Sequence, residues 1–428
     1  MGGGGCLSVC HLCQTVGALL SKKWVFNTDP TALGSGVGYA HMAMISSLPE
    51  RSPWSWMMVW QAAQRLEGAE DQTFMAAYSL DASHWTEPIF MSPLRDQGCL
   101  WSPVLHRTRS MIWLFYAESV SCHRPANKAR NMPSRWAPGG TIKYVQSEDG
   151  VVWSKPVTLW EQWKDGGVPK VIANQLVVLR SPEKPGSPGV WVLPYWQEVP
   201  STKELVPGCP SEGESFAGAL LSLDNGKTWR RSSRVEPVDG NGPVWLIEGT
   251  VAELHNGTLL QVFRSHSGIL YKSVSSDSGR SWSQPRPLGL PNPNSKANLI
   301  RLEGERPLLA LAYNHNETIG QRVNLWVALS DDWGETWHKV AELEGVPEDD
   351  VMQHYPTMAQ SGCRLLVAYS TFYRLTPRCA ASNPVCPPEP PRGQSGIRLA
   401  EIDLSKADMG KGTLIPRYWL PDNLNVNI

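Results

Sequence analysis

Long hydrophobic runs are missing from this 428-residue chain, so no membrane-spanning helix is expected. An excess of charge is missing too. Thirty-nine Lys and Arg face 40 Asp and Glu, a net −1, which excludes a general attraction to nucleic acid or to an anionic membrane surface. No phosphate-cradling glycine loop occurs, and Cys10-His-Leu-Cys13 has no second pair to complete a zinc site, so neither cofactor nor metal is expected. Cysteine is sparse and odd in number, at nine, and Cys379 and Cys386, flanking a short loop, are the pair placed to bridge in an oxidising compartment. The compartment itself stays open, because Leu7–Leu20 is mildly apolar but no Lys or Arg precedes it, as a signal peptide would require.

Tryptophan is abundant, with 20 residues, and much of it belongs to one repeated pattern. Ser222-Leu-Asp224-Asn-Gly226-Lys-Thr228-Trp229, Ser275-Ser-Asp277-Ser-Gly279-Arg-Ser281-Trp282 and Ser330-Asp-Asp332-Trp-Gly334-Glu-Thr336-Trp337 all read S-x-D-x-G-x-[TS]-W. Shorter relatives run from Ser79 through Asp81 to Trp85 and from Ser147 through Asp149 and Gly150 to Trp153. The pattern reads as a hairpin turn: Asp accepts from the next backbone N–H groups, Gly takes a positive φ, and Trp packs on a neighbouring unit. These turns are expected to be structural and to take no part in chemistry.

Starts at 79, 147, 222, 275 and 330 give steps of 68, 75, 53 and 55, a supersecondary unit repeated around an axis. One unit is legible in full, as four short alternating runs at Asn298–Glu303, Pro307–His315, Asn324–Ser330 and Thr336–Leu343. Four strands per unit predict an all-β fold, a six-bladed β-propeller with four-stranded antiparallel blades. The two long first steps leave room for a seventh. Tyr39–Ser47 is expected to complete the final blade and lock the ring. The expected organisation is a disordered or targeting leader at 1–21, the propeller at 22–404 and a C-terminal tail at 405–428. Three segments break the strand rhythm, Ser119–Gly140 with its run of cations, Val199–Ser215, and the proline-rich Thr376–Gly393. Insertions of this kind shape a mouth.

Together the turns, the segment Gly242–Glu253, Pro291-Asn-Pro-Asn-Ser295 and His354-Tyr355-Pro356-Thr-Met resemble the sialidase (neuraminidase) superfamily, in its BNR-repeat, sialidase-like branch. The resemblance runs from about residue 40 to 404. It implies a glycosidase with an axial site: a Tyr nucleophile paired with a Glu, an Asp acid/base on a loop, and three Arg gripping a carboxylate. Tyr355 stands in the place of the nucleophile, Glu248 in that of its partner, Arg264 in that of the second Arg, and Asp71 in the loop of the acid/base. His354 precedes the nucleophile and joins the substrate-binding candidates. Two positions depart from the pattern. His41 occupies the place of the first Arg, and Lys296 is the candidate for the third. Neither reproduces the planar two-bond fork of a guanidinium.

A phenol ionises near pH ~10 and is a poor nucleophile at neutrality unless a carboxylate takes its proton as attack begins. That need gives the pairing of Tyr355 with Glu248 its sense; the tyrosine nucleophile is a known exception among glycosidases. The implied partner is an acidic oligosaccharide. Two other functions fit the residues. One is a rhamnosidase or lyase on uronate-linked glycans using His41 and Tyr355. The other is a non-catalytic binding propeller with Trp101, Trp113, Trp136 and Trp196 as stacking platforms.

Overall fold

The computed structural model describes residues 18–28, 36–91, 94–96, 98–126, 134–179, 189–200, 209–210, 213–236, 238–239, 242–243, 245–254, 256–304, 308–347, 351–373, 395–407 and 413–414. Six antiparallel sheets form six blades. Their strands, from the axis outward, begin with Tyr39–Ser47, Trp56–Ala63, Thr73–Ser79 and Ile89–Phe90 in blade 1 and Leu100–Arg107, Ile112–Glu118, Thr141–Ser147 and Val157–Trp160 in blade 2. Blade 3 holds Lys170–Ile172, Trp191–Gln197, Phe216–Ser222 and Arg230–Arg231. Blade 4 holds Leu246–Glu253, Leu259–Ser265, Ile269–Ser275 and Arg286–Pro291. Blade 5 holds Asn298–Arg301, Leu309–Asn314, Leu325–Ser330 and His338–Glu344. The six-bladed propeller expected from the repeat is the fold observed.

Ring closure differs from the expectation. Tyr39–Ser47 is the innermost strand of blade 1, and Leu19–Asn27 is the outermost strand of blade 6, paired with Gly396–Asp403 beyond Arg364–Tyr373 and Val351–Ser361. The physical reason is exposure. Leu19–Asn27 alternates between half-buried and exposed residues and carries Lys22 and Lys23, the pattern of an edge strand. Tyr39–Ile45 is buried throughout, as an axial strand must be. The same arrangement explains why five turn motifs serve six blades. Blade 6 takes its fourth strand from the start of the chain, so no hairpin joins its third strand to its fourth.

The motif turns behave as their chemistry requires. Ser222 Oγ donates to Asp224 Oδ1 at 2.8 Å, and Thr228 donates to the same carboxylate through its backbone N–H at 2.8 Å and its hydroxyl at 2.6 Å. Gly334 sits at φ +80°, and a Cβ there would stand 2.8 Å from Leu260 of the preceding blade, so the glycine serves both the turn and the blade contact. Trp337 is buried between blades, whereas Trp229 is half-buried and donates to Gly226 O at 3.0 Å.

These turns make stability depend on pH. Hydrogen bonds from the Thr228 side chain and backbone hold Asp224 down at about 2. Burial works against Asp277 and Asp332, but hydrogen bonds from Ser281 and Thr336 outweigh it and keep both below the usual carboxylate range. A depressed carboxylate stabilises the fold above its unfolded value, near ~3.9, and loses that contribution as pH falls through its folded value. The expected result is a melting temperature that drops between pH 4 and pH 2, with a shallower drop in Asp224→Asn. An equal slope in the variant would remove this role.

The disulfide Cys122–Cys209 ties the second-to-third-strand insertion of blade 2 to that of blade 3. The expected Cys379–Cys386 bridge lies outside the described residues. No described helix is long and apolar enough to cross a membrane.

Candidate active site

The loops entering each first strand and those joining second to third strands share one face, the mouth; the motif turns lie on the other. Near the mouth, four of the six first strands carry the same irregularity. Pairing with the second strand breaks between His41 and Met44, Trp101 and Val104, Ile247 and Thr250, and His354 and Thr357. At each break a residue with a side chain takes a left-handed backbone: Met42 at φ +55°, Ser102 at +54°, Glu248 at +52° and Tyr355 at +59°. Such bulges re-aim a side chain, at a backbone cost of about 1–3 kcal/mol each.

A side chain from the preceding blade pins every one of them. Ser370 Oγ accepts from Met42 N at 3.2 Å, and Gln61 Oε1 accepts from Ser102 N at 2.6 Å. Asn174 Nδ2 donates to Glu248 O at 2.9 Å and Gly249 O at 3.3 Å. Lys296 Nζ donates to Pro356 O at 2.6 Å and Thr357 Oγ1 at 3.1 Å. Two of the four pinned residues are Tyr355 and Glu248.

Those two meet, although 107 residues separate them: Tyr355 Oη donates to Glu248 Oε1 at 2.7 Å. Arg264 Nη1 donates to the same carboxylate oxygen at 2.9 Å and also to the Tyr355 oxygen. Arg264 Nε is held by Asn294 Oδ1 at 2.6 Å. All three side chains are buried, and Glu248 Oε2 is sealed from solvent with no partner among the described residues. Burial pushes the Tyr355 phenol above its usual range; Arg264 works against that shift and Glu248 adds to it. The resting tyrosine is therefore a neutral hydrogen-bond donor with its base already in contact.

His41 stands beside this pair, its ring 4.3 Å from that of Tyr355 and 5.0 Å from that of His354. Burial, then Arg322, Lys296 and Arg264, hold it well below the ordinary imidazole range, so it is neutral at pH 7. Ser370 Oγ, which already accepts from Met42 N, lies 2.9 Å from His41 Nδ1. The Ser370 hydroxyl thus ties the His41 ring to the Met42 bulge, donating to or accepting from Nδ1 according to the tautomer. His354 is likewise kept neutral by burial, His41 and the arginines, and neither of its ring nitrogens has a partner among the described residues.

The other candidates fall elsewhere. Asp71 is exposed, and its carboxylate accepts from Gln64 N at 2.7 Å within its own loop. Glu67 of the same loop is half-buried, and its charge acts on Tyr39 and Tyr355. Lys296 spends its ammonium on the Tyr355 bulge rather than facing the mouth. The second cation over the tyrosine is Arg322, its guanidinium 5.4 Å from the Tyr355 ring and without a carboxylate partner among the described residues. Sequence reasoning passed over Arg322 because it sits between the second and third strands of blade 5 with no motif around it. Glu198 was missed as well. It accepts from Trp196 Nε1 at 3.4 Å, and burial first, then the Glu248 charge, raise it above the usual carboxylate range.

The cationic insertion is largely spent on structure. His123 pairs with Glu70 at 3.2 Å and Arg135 with Glu67 at 3.4 Å, so the two loops brace each other; Lys128 and Arg130 lie outside the described residues. Trp101, Trp113 and Trp196 are buried in blade packing, which removes them as stacking platforms; Trp136 is half-buried against His123. Among the described residues no cluster of three or more His, Cys, Asp or Glu could hold a metal ion.

A family profile described as a BNR repeat-like domain matches residues 55–366. A curated sialidase from Bacteroides fragilis (strain YCH46) is 27% identical over 205 residues, 46% of this chain and 33% of that protein. The chain thus spans about a third of the length of the curated relative it matches. Among solved structures, a protein of unknown function from Dyadobacter fermentans DSM 18053 superposes with a TM-score of 0.63 at 14% identity, over 90% of this chain and 98% of that one. Leech intramolecular trans-sialidase superposes with a TM-score of 0.61 at 14% identity, over 93% of this chain and 71% of that one. Trypanosoma rangeli sialidase in complex with sialic acid gives 0.58 at 14% identity, over 86% of this chain and 54% of that one. At these identities the structural likenesses speak for the fold alone.

Proposed function

The chain belongs to the BNR repeat-like family of the sialidase superfamily, and on that premise we propose that it is a glycoside hydrolase acting on a glycan with an acidic sugar. The observation that carries the proposal is the 2.7 Å hydrogen bond from Tyr355 to Glu248 at the mouth end of the axis. Proton transfer between nucleophile and base needs this reach. As Tyr355 Oη bonds to the anomeric carbon, its proton passes to Glu248 Oε1 and the glycosidic C–O bond breaks. An acid protonates the departing oxygen. Water, deprotonated by the same group, then attacks the anomeric carbon and breaks the glycosyl–tyrosine bond, and Glu248 returns its proton to the departing tyrosine oxygen.

The acidic group of the sugar is bound by Arg264 through its remaining Nη2, by Arg322, and by the neutral ring of His41. Arg322 gives the sharpest test of this role. It is half-buried and makes no ion pair among the described residues, so Arg322→Ala should leave the melting temperature unchanged. A hydrogen bond to a charged group is worth about 1.5–3 kcal/mol, so KM for an acidic glycoside should rise by about 10- to 100-fold. An unchanged KM would remove Arg322 from the subsite.

For the acid/base, the sequence points to Asp71; Glu67 of the same loop is the stronger candidate because its charge acts on Tyr355, although it also pairs with Arg135 at 3.4 Å. Glu67→Gln should therefore lower turnover far more than Asp71→Asn, and leaving groups that need no protonation should suppress the difference.

A second reading keeps the site and changes the sugar. The neutral His41 ring, 4.3 Å from the Tyr355 ring, suits proton handling in uronate chemistry better than it suits a third cation. A panel of sialosides, uronate oligosaccharides and rhamnosides separates the two. Turnover of sialosides supports the first; turnover of uronate-linked substrates alone, lost in His41→Ala, supports the second.

A further inference from the structure

Four axial bulges are pinned by side chains from the preceding blade, and three of the pins are neutral: Ser370, Gln61 and Asn174. At Tyr355 the pin is Lys296, only 1% exposed. An amide or hydroxyl would meet the hydrogen-bonding need of a bulge, as it does at the other three. A buried ammonium carries a desolvation cost that a neutral pin does not.

We propose that Lys296 is a positioning residue for the Tyr355–Glu248 pair with a second role as its buried charge: the ammonium locks the backbone that aims the phenol and supplies positive charge to the Glu248 side of the pair. The proposal deepens the reading of Tyr355 as nucleophile and rests on it. Lys296 Nζ bonds the carbonyl of Pro356, the residue directly after Tyr355, and the hydroxyl of Thr357, where strand pairing resumes. It therefore bridges the far edge of the bulge. The charged and titratable groups around it are Glu248, which favours its protonated form, and His41, whose ring it helps keep neutral. Arg264, Arg322, His354, Tyr355 and Tyr39 also face that ring. Burial lowers Lys296 to about 7, with Glu248 opposing the shift. Its charge is therefore present below pH 7 and lost above it.

Two variants separate the pin from the charge. Lys296→Gln keeps an amide donor, as Asn174 supplies at the Glu248 bulge, and removes the charge. Lys296→Met removes both. In the glutamine variant, backbone hydrogen exchange over residues 351–361 should match the parent, while kcat falls about tenfold or more with KM unchanged. The parent's decline in kcat as pH rises through 7 should vanish in the same variant. In the methionine variant exchange over residues 351–361 should also accelerate. A glutamine variant with parental kcat and pH profile would overturn the charge role. A methionine variant with parental exchange would overturn the pin. Two readouts do not depend on turnover: the exchange comparison, and the ring titration of His41 followed by NMR with labelled histidine, which should move upward in Lys296→Gln. If the parent hydrolyses no acidic glycoside, the proposed function fails, while these two readouts still decide the role of Lys296; an unmoved His41 titration counts against the charge.

Discussion

Tyr355→Phe is expected to fold as the parent does and to lose turnover of its acidic substrate by about 10³-fold or more, the loss of nucleophile and base contact together. The substitution removes one oxygen. The ring remains, buried beside His41 and His354, and the bulge is held by backbone contacts the phenol does not make. Glu248 Oε1 keeps its bond from Arg264 at 2.9 Å, so no carboxylate is orphaned and stability should change little. Substrate affinity should hold, because the proposed subsite for the acidic group is Arg264, Arg322 and His41. The expected signature is a collapse of kcat at nearly constant Kd, with an intact melting transition. Residual turnover within about tenfold of the parent would make the phenol dispensable and move the nucleophile elsewhere.

Arg264→Leu should have the largest effect on stability, about 3–5 kcal/mol, because it leaves a buried carboxylate without its cation. Arg264 and Glu248 are 7% and 4% exposed, and the guanidinium also lies 5.3 Å from the Trp245 ring, a contact the variant loses. The two halves of the penalty can be separated. Arg264→Leu combined with Glu248→Gln removes the uncompensated charge and should recover a substantial part of the loss in a urea melt, despite carrying one more substitution. Strictly additive losses would mean that the ion pair contributes no coupling. Acidic substrate should bind poorly to both variants, since each lacks a guanidinium at the subsite.

The architecture was legible in the sequence because it rests on local signals repeated from blade to blade. Each S-x-D-x-G-x-[TS]-W turn closes through its own side chains, as in the Asp224–Thr228 bonds, so the motif needs no tertiary context to be read. Ring closure was not legible. Leu19–Asn27 pairs with a strand more than 360 residues away, and nothing in its own pattern names that partner. Tyr355, Glu248 and Arg264 were found because family motifs mark them. Arg322 and Glu67 were not, because each gains its place from how a connecting loop folds over the mouth. The bulges were hidden for a different reason. Met42, Ser102, Glu248 and Tyr355 all lack the glycine that advertises a positive φ, and a pin from the neighbouring blade imposes it instead. Lys296 was placed in this neighbourhood, but the direction of its ammonium, onto the Pro356 carbonyl and the Thr357 hydroxyl, is not something sequence position gives.

The most direct test is peptide mapping after incubation with a fluorinated, activated glycoside of the acidic sugar, chosen to form a glycosyl-enzyme quickly and release it slowly. The expected result is one added glycosyl mass on the peptide that carries Tyr355, absent in Tyr355→Phe and weakened in Glu248→Gln. A label on any other residue, or steady hydrolysis of the natural glycoside with no label at all, would contradict a tyrosine nucleophile at the centre of this propeller.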